Sequence, residues 1–395
     1  MQTDAPAGRH VPCERAPEGE KMFLTRAIRI LVATAVAFPA LVSAADYFYR
    51  PVSVSFFPPL TTNGREAGRT SSQFSFNIIG GYIGEVRGAE LGSVFNLVQD
   101  NFQGAQFGGA INAVGGNFTG FQASGAVNIV GGDLTPVQAS GAVNLVLGTV
   151  KGVQLGAVNI TSRLQGAQFA AVNIADRAIG AQFAAVNITR AMKGFQVAAV
   201  NLSDGFEGFQ LGTVNIAQQA KGFQLGVVNI ADAMDGEALG VVSAVGNGRH
   251  SLCLWADETA LLNLGVKLGS KSIYNVFALG MHVLDSRLYA GYGLGGQMRQ
   301  EPFFMDVDVT GYSVLENFEE WRGQPLDFLG KLRLAAGWQV FPKMAIVAGP
   351  TLNVFTSMVQ DGRGVPYYDL TLFQFHTGNF WLRAWPGFLV GVQGF

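Results

Sequence analysis

The chain has 395 residues, of which 49% are hydrophobic and only 14% are charged, and its formal net charge at pH 7 is −2. This composition is too apolar for a disordered chain. Because the charge is near zero and no Lys/Arg stripe is present, nucleic acid is excluded as an expected partner.

The first 44 residues read as an export signal. Arg26 and Arg29 form a positive start, 30–41 form an apolar core, and a cleavage site of small residues ends at Ala44. This order is typical of a secretory signal peptide, and the apolar run is too short for a transmembrane helix. Residues 1–21 are polar, so we expect translation to start at Met22. The mature protein is therefore predicted to be exported.

Residues 45–86 form the next predicted region. YRPVSVSFFPPL and SQFSFNIIGGYIG each read as a strand. These strands could pair with the C-terminal part of the chain, which would make the intervening repeats an insertion.

A strict sequence repeat fills the middle of the chain, from about Arg87 to Gly246. Glutamines recur every fourteen residues, and an asparagine follows each of them five positions later. A short, strict period indicates one structural unit stacked on copies of itself. The two columns are Gln168, Gln182, Gln196, Gln210 and Gln224, with Asn173, Asn187, Asn201, Asn215 and Asn229.

Each repeat contains two apolar–polar–apolar triplets that are out of phase, for example around Gln224 and Asn229. A corner at Gly226–Val227 would bring the four apolar side chains to one inner face. We therefore predict a β-solenoid in which the apolar side chains stack inside and the amides form ladders from coil to coil. If the ladders are internal to the rod, their role is structural. If they are exposed, they could bind a glycan, a mineral or a protein edge.

Looser copies extend the repeat toward both ends. Gln106, Gln122, Gln138 and Gln154 are sixteen apart, which predicts a bulge or a wider corner. Glu90 replaces the glutamine in an early copy, and the last copy, which begins at Gly236, has lost both amides; such atypical copies are typical of capping coils. Counted from Gly88, the repeats predict roughly eleven coils and a rod about 50 Å long.

Residues 247–395 change to longer alternating segments, which predict a meander of antiparallel strands that forms a barrel. A terminal Phe395 behind an apolar strand resembles the assembly signal of bacterial outer-membrane barrels, although Gln393 departs from that pattern. The domain is predicted to be a membrane barrel or, alternatively, a soluble β-domain that caps the solenoid. The predicted strands are 260–269, 273–282, 287–298, 303–315, 326–341, 344–359 and 380–395.

The order of these motifs carries a family resemblance. SFFPPLTTNG, SQFSFNIIGGY, serial GxQxGxVNIA units and ADETALLNLGVKLGSKSIYNVFALG follow one another between Phe56 and about Phe355. This order resembles a family of bacterial surface repeat-containing proteins. The resemblance implies an exported envelope protein, and it carries no catalytic residues over to this chain.

The sequence offers little chemistry. His250, His282 and His376 lack the spacing of metal ligands, and Cys253 is the only cysteine after the cleavage site, so it is expected to be a buried thiol. We expect no enzyme activity, cofactor or metal.

Two carboxylate pairs remain. Asp257 and Glu258, as neighbours on a strand, should point to opposite faces and form no acid/base pair. Asp306 and Asp308 should share a face, where they could bind a cation or line a barrel lumen. The glycines of GYGLGG from Gly291 lack the context of a phosphate loop and read as strand glycines.

Three functions remain open. The first is a non-enzymatic scaffold or interaction protein at the bacterial outer membrane or cell surface, with the periplasm as the alternative location. The second is an outer-membrane barrel with a transport or pore role. An envelope hydrolase is the third and has the least support. The outer membrane and an unidentified protein or glycan are the partners that the sequence leaves open.

Overall fold

The computed structural model describes residues 47–282, 287–316, 327–358 and 370–395. The predicted signal peptide lies outside these residues. The described chain is all-β, as predicted, and contains a β-solenoid of about 12 turns followed by a separate antiparallel sheet of nine strands. One 3₁₀ helix, Gly64–Arg69, precedes the fourth strand.

The solenoid contains strands β1–β17, which follow one another along the chain. Their bounds are β1 Phe48–Tyr49, β2 Val52–Phe57, β3 Leu60–Thr61, β4 Thr70–Asn77, β5 Gly80–Ile83, β6 Glu85–Gly92, β7 Phe95–Val98, β8 Phe102–Gly108, β9 Ile111–Val114, β10 Phe118–Ser124, β11 Val127–Val130, β12 Leu134–Ser140, β13 Val143–Leu155, β14 Val158–Phe169, β15 Val172–Phe183, β16 Val186–Leu239 and β17 Val242–Val245.

The coils stack by parallel, in-register pairing. Gln168 of β14 lies beside Gln182 of β15, and Asn173 beside Asn159. The sixteen-residue coils pair with one another without a register shift, so their extra residues lie in wider corners rather than in bulges. A parallel strand pair needs a crossover, and here each coil supplies it.

The N-terminal strands belong to the same stack, which corrects the domain boundary expected near Arg87. Strand β2 pairs in parallel with β4, and β4 pairs in parallel with β6. Ser53, Ser75 and Glu90 therefore stand in the column that the glutamines continue. None of the pairings of β1–β5 in the described chain is with the C-terminal sheet, so the solenoid is not an insertion between paired strands.

The predicted inside and outside of the repeat were wrong. Gln224 and Asn229 are fully buried, whereas the flanking Leu225 and Ile230 are partly or well exposed. Side chains alternate along a strand, so once an amide points inward both of its neighbours must point outward. The amides tolerate the interior because they satisfy one another across coils, and a buried amide without a partner would be costly.

The apolar part of the interior comes from two other positions of each coil. In the coil that begins at Gln168, these positions are Ala175 and Ala178, both buried. Earlier coils place larger residues there, and the rings of Phe102 and Phe118 stack at 4.9 Å. The apolar cluster includes Val86, Val98, Phe118, Val130, Leu134, Leu164, Met192, Phe206 and Met234.

One glycine column closes each coil. Gly180 has φ +134°, and a Cβ on it would lie 2.0 Å from the carbonyl oxygen of Gly166 in the preceding coil. Only glycine adopts this conformation and allows this approach without strain. The glycine two residues before each glutamine, which only Pro136 replaces in the described repeats, is therefore part of the coil geometry.

The C-terminal sheet closes into a barrel. Strand β18 pairs with both β19 and β26, and β25 pairs only with β26, so the other eight of the nine strands form a ring. The bounds are β18 Arg249–Ala256, β19 Leu262–Gly269, β20 Ile273–His282, β21 Arg287–Gln300, β22 Phe303–Glu316, β23 Asp327–Phe341, β24 Met344–Ser357, β25 Phe373–Thr377 and β26 Phe380–Gly394.

The seven strands predicted in this region agree with β19–β24 and β26 to within a few residues at their ends. Strands β18 and β25 were not among these seven, although a strand was expected at Asp257 and Glu258, just after β18 ends. Within the described residues, no helix is long and apolar enough to cross a membrane.

Candidate functional site: two apolar surfaces that meet in a groove

The predicted amide columns form two continuous ladders inside the solenoid. Gln182 Nε2 donates to Gln168 Oε1 at 2.8 Å, toward the N-terminal end of the rod. Asn173 Nδ2 donates to Asn187 Oδ1 at 3.1 Å, toward the C-terminal end. The two ladders therefore run with opposite polarity, and their dipoles oppose each other. The same bonds link the other predicted members, Gln196, Gln210 and Gln224, and Asn201, Asn215 and Asn229.

Each end of the glutamine ladder has a different terminator. Gln106 Nε2 donates to Glu90 Oε2 at 2.8 Å, and Ser75 and Asn77 donate to the other oxygen of Glu90. Burial raises the pKa of Glu90, although these hydrogen bonds act to lower it. At the other end Ala238 replaces glutamine, and Gln224 Oε1 has no hydrogen-bond partner among the described residues.

The exposed-ladder hypothesis is wrong. All ten predicted ladder residues have no exposed surface, so a glycan, mineral or protein edge cannot reach their amides. The ladders hold the coils together, as the structural interpretation predicted.

The outer surface of the solenoid is apolar on two faces. We call the residues that flank the Gln column the Gln-side face and those that flank the Asn column the Asn-side face. Every flanking residue from Ala89 to Ala244 is uncharged except Glu237 in the last coil. The corner between the two faces consists of small or apolar residues such as Ala170 and Ala171. Large exposed members of the Gln-side face are Leu91, Phe107, Phe121, Leu155, Phe169, Phe183, Phe195 and Leu211.

The Gln-side face exposes a large apolar area. Five of the seven phenylalanines of the Gln-side face are 38–60% exposed. At a full area of ~200 Å² each, they alone present on the order of 400 Å². That already equals the largest apolar patch of a typical monomer.

The charges of the solenoid lie on the remaining side, which we call the charged side. Arg190 pairs with Asp176 at 2.6 Å, and Lys193 with Glu207 at 3.2 Å, each across neighbouring coils. The rod is therefore amphipathic around its circumference, with charge of both signs on one side and only Glu237 on the other.

Charged residues fill the interior of the barrel. Lys331, buried to 2% exposure, lies 2.7 Å from Asp257 and 3.7 Å from Glu258, and it donates to Thr259 Oγ1. The expectation that Asp257 and Glu258 diverge was wrong, because β18 ends at Ala256 and both carboxylates lie in the following turn. They are brought together as partners of one lysine.

Asp306 and Asp308 share the inward face of β22, as predicted. Asp306 accepts from Lys267 Nζ at 2.6 Å and from Gln297 at 2.6 Å. Asp308 pairs with Arg333 and accepts from the Tyr274 hydroxyl at 3.1 Å. Protein cations thus neutralise both carboxylates.

Among the described residues, side chains pack closely around Cys253 and Trp255. A cavity of about 20 Å³ near Cys253 and Trp255 has room for about one water molecule. The glycines of β21 make space for rings, since a Cβ on Gly291 would meet the Tyr312 ring at 2.5 Å and one on Gly295 the Tyr274 ring at 2.6 Å. Cys253 is buried, as expected. Gln393 also points inward, where its Oε1 accepts from Lys267 Nζ at 3.2 Å.

The outward face of the barrel has the opposite character. Outward-facing positions of the ring strands carry no Asp, Glu, Lys or Arg within the described residues. Many of these side chains are large and well exposed. Examples are Leu252, Leu254, Leu264, Leu279, Met298, Phe303, Val309, Leu334, Trp338, Ile346, Phe388 and Val390.

The last coil of the solenoid joins this outward face through polar contacts. Asn275 on β20 accepts from the backbone N–H of Ser243 at 2.9 Å and donates to the Gly240 carbonyl at 2.6 Å. The Tyr292 hydroxyl donates to the same carbonyl at 3.1 Å. Asn275 therefore satisfies two backbone groups on the open strand edge of the last coil.

An apolar groove of about 560 Å³ lies beside this junction. One wall is the column Val197, Leu211, Leu225 and Leu239 of the Gln-side face, and the other is Tyr292 and Leu294 of the barrel. The apolar surface of the solenoid thus continues into that of the barrel. Sequence reasoning missed this surface because it placed the flanking residues inside.

The histidines do not form a site. His250 and His282 lie on separate barrel strands and His376 lies on the β25 hairpin, where its ring is 3.9 Å from that of Trp381. The described residues contain no group of three or more His, Cys, Asp or Glu side chains that could hold a metal ion.

Comparison with protein-family models, with curated proteins and with solved structures finds no match to this chain.

Proposed function

We propose that this protein is a non-enzymatic, membrane-anchored scaffold of a bacterial envelope, with the barrel inserted in the outer membrane as an anchor for the solenoid. The reversed polarity of the barrel carries the proposal. Paired charges such as Lys331–Asp257 lie inside, whereas the outward positions of the strands have no charged residue. A barrel in water would place its charged side chains on the outward face, whereas a barrel in lipid keeps that face free of charge.

The connections between strands also support insertion. At one end, which we call the short-turn end, strands are joined by 270–272, 301–302 and 342–343. The connections 257–261, 283–286 and 317–326 at the other end are longer. Outer-membrane barrels have this asymmetry and place aromatic residues at the membrane interfaces. Phe303 and Trp338 form an exposed cross-strand pair at the short-turn end.

The pore hypothesis receives less support than the anchor. Eight strands give a barrel just wide enough to be filled by side chains. Here, buried ion pairs and rings occupy the interior, and the cavity near Cys253 holds about 20 Å³. A conducting pore would need a continuous aqueous path.

A hydrolase has no geometric support in the described chain. The described carboxylates Asp306, Asp257 and Asp308 are paired with Lys267, Lys331 and Arg333, so none of them is free to act as a general acid or base. The resemblance to bacterial surface repeat-containing proteins agrees with an envelope scaffold and supplies the location we propose, the outer membrane of an exporting bacterium.

Carbonate washing of membranes tests the proposal. The barrel should stay in the carbonate-washed outer-membrane pellet and should migrate differently on gels when boiled and unboiled. A protein that carbonate extracts and that shows no mobility shift would contradict insertion. Planar-bilayer recordings of the purified protein should show no steps of conductance, and regular steps would favour the pore.

A further inference from the structure

We propose that the Gln-side face of the solenoid lies on the lipid surface next to the barrel, so that the rod is a peripheral part of the same membrane contact. This inference rests on the proposed insertion of the barrel and adds a second membrane-binding surface. The occupant is the bilayer itself, at the level of the headgroups and upper acyl chains.

The groove connects the Gln-side face with the outward face of the barrel. Leu211, Leu225 and Leu239 face Tyr292 and Leu294 across it, and no charged side chain lines it. Tyr292 and Leu294 belong to the outward face of β21, which the proposed function places in lipid. Lipid in contact with that wall would therefore also contact the leucine column of the solenoid.

The Gln-side face extends well beyond the groove. The apolar residues do not end at the groove, because Phe195, Phe183 and Phe169 continue the same face coil by coil. Phe183 lies four coils before Leu239, about 19 Å away at ~4.8 Å per coil. A surface that only docked the barrel would have no reason to stay apolar over this distance.

Charged residues are distributed unevenly around the rod. Arg177, Lys193 and Lys221 lie on the charged side together with Asp176 and Glu207, whereas the Gln-side face has only Glu237, which hydrogen-bonds the barrel at Ile273. This is the polarity of an interfacial amphipathic element, which buries its apolar face ~5–10 Å into the headgroup and acyl boundary. Here, rigid coils replace the usual helix.

A lipid surface fits this face better than a second copy of the chain. In a symmetric pair of rods, the Gln-side faces of two copies would have to contact each other. At the groove, the barrel wall of each chain stands beside its own face and would obstruct that contact. The bilayer needs no such match of shape, and it already surrounds the barrel in the proposed function.

Site-directed labelling tests the proposal on the full chain reconstituted in lipid vesicles. In a background carrying Cys253→Ser, with Cys13 preceding the expected cleavage site, one cysteine is introduced at a time and carries an environment-sensitive fluorophore. The variants are Phe183→Cys on the Gln-side face, Gln219→Cys on the charged side and Leu254→Cys on the barrel. Quenching is measured with nitroxide-labelled lipids, and folding is checked by the gel shift on boiling.

We expect lipid nitroxides to quench the labels at 183 and 254 by about twofold or more and to leave the label at 219 unchanged. If the label at 254 is quenched and that at 183 is not, the barrel is inserted and the solenoid proposal is overturned. If neither is quenched, the proposed insertion itself fails. A label at 183 that is shielded from water but not quenched by lipid also overturns the proposal, because a protein then covers the face.

Discussion

Gln106 donates a hydrogen bond from Nε2 to Oε2 of Glu90 at 2.8 Å, at the point where the glutamine ladder meets its only carboxylate. Ser75 and Asn77 donate to the other oxygen, and the side chain has no exposed surface. Burial raises the pKa of Glu90 despite these donors. The ladder therefore begins at a group whose protonation state affects stability.

We predict that Glu90→Gln makes the stability of the solenoid less dependent on pH. Because the pKa of Glu90 is raised on folding, the native state binds the proton more tightly than the unfolded state. Its contribution is most favourable below the unfolded pKa of glutamate and is lost as pH rises through the folded pKa. Glutamine has no such loss, so the variant should gain stability at neutral pH and little in acid.

Urea unfolding of both proteins at about pH 4 and about pH 8 measures this difference. Glu207→Gln is the control, since Glu207 is an exposed partner of Lys193 and its replacement should change stability by no more than ~1 kcal/mol. An equal effect of Glu90→Gln at both pH values would contradict the prediction.

We predict that Asn187→Ala destabilises the solenoid by roughly 2–4 kcal/mol, because buried partners lose their hydrogen bonds. Asn187 accepts from Asn173 and donates to Asn201 and to the carbonyl oxygen of Gln182. Val186→Ala removes the two methyl groups of a half-buried, outward-facing side chain in the same coil, and it should reduce stability by less. Chemical unfolding of the two variants compares them, and equal losses would show that the ladder adds no stability.

We predict that Gly180→Ala is far more damaging than Gly205→Ala, although both glycines lie in the solenoid. A Cβ at 180 would lie 2.0 Å from the Gly166 carbonyl oxygen with φ at +134°, whereas one at 205 meets only the Arg190 carbonyl oxygen at 3.8 Å. The first change should cost ~3 kcal/mol or more, and the second should be neutral within ~0.5 kcal/mol. Thermal unfolding measures both, and similar melting temperatures would refute the clash.

The fold was predictable because its signals are periodic. The fourteen-residue spacing of Gln168 and Gln182 fixed the parallel register, and alternation fixed β19–β24 within a few residues. The faces of the repeat were not predictable from polarity alone. A repeat that buries Asn229 and leaves Ile230 39% exposed contradicts the usual rule for a protein in water.

The site was predictable only in part, for a related reason. Asp306 and Asp308 share a face, as alternation requires, but their partners Lys267 and Arg333 come from strands far away in sequence. Asp257 and Glu258 were misplaced because β18 ends one residue earlier, at Ala256. Contacts that depend on closure of the barrel cannot be derived from local pattern.

We predict that Lys331→Met destabilises the barrel by roughly 3–5 kcal/mol, because it leaves Asp257 buried without its cation. Adding Asp257→Asn should recover part of this loss, since the double variant leaves only Glu258 without the lysine cation. Lys343→Met, at an exposed turn, is the control. A thermodynamic cycle of the single and double variants measures the coupling, and strictly additive losses would show that the 2.7 Å pair is not coupled.

We predict that Val309→Arg distinguishes a barrel in lipid from one in water. Val309 is 60% exposed on the outward face near the middle of β22, with Leu332 beside it on β23. On a water-exposed sheet this change should cost no more than ~0.5 kcal/mol. At the midplane of a bilayer, the charge should cost ~2–4 kcal/mol.

Gln219→Arg on the charged side of the solenoid is the matched control, because it adds the same side chain where water already solvates charges. Reversible urea unfolding in vesicles and in detergent gives both costs. A large loss for Val309→Arg in vesicles, with none for the control, follows if the strand faces lipid. Equal, small losses at both positions would mean that the outward face of the barrel is in contact with water, and the membrane anchor would have to be abandoned.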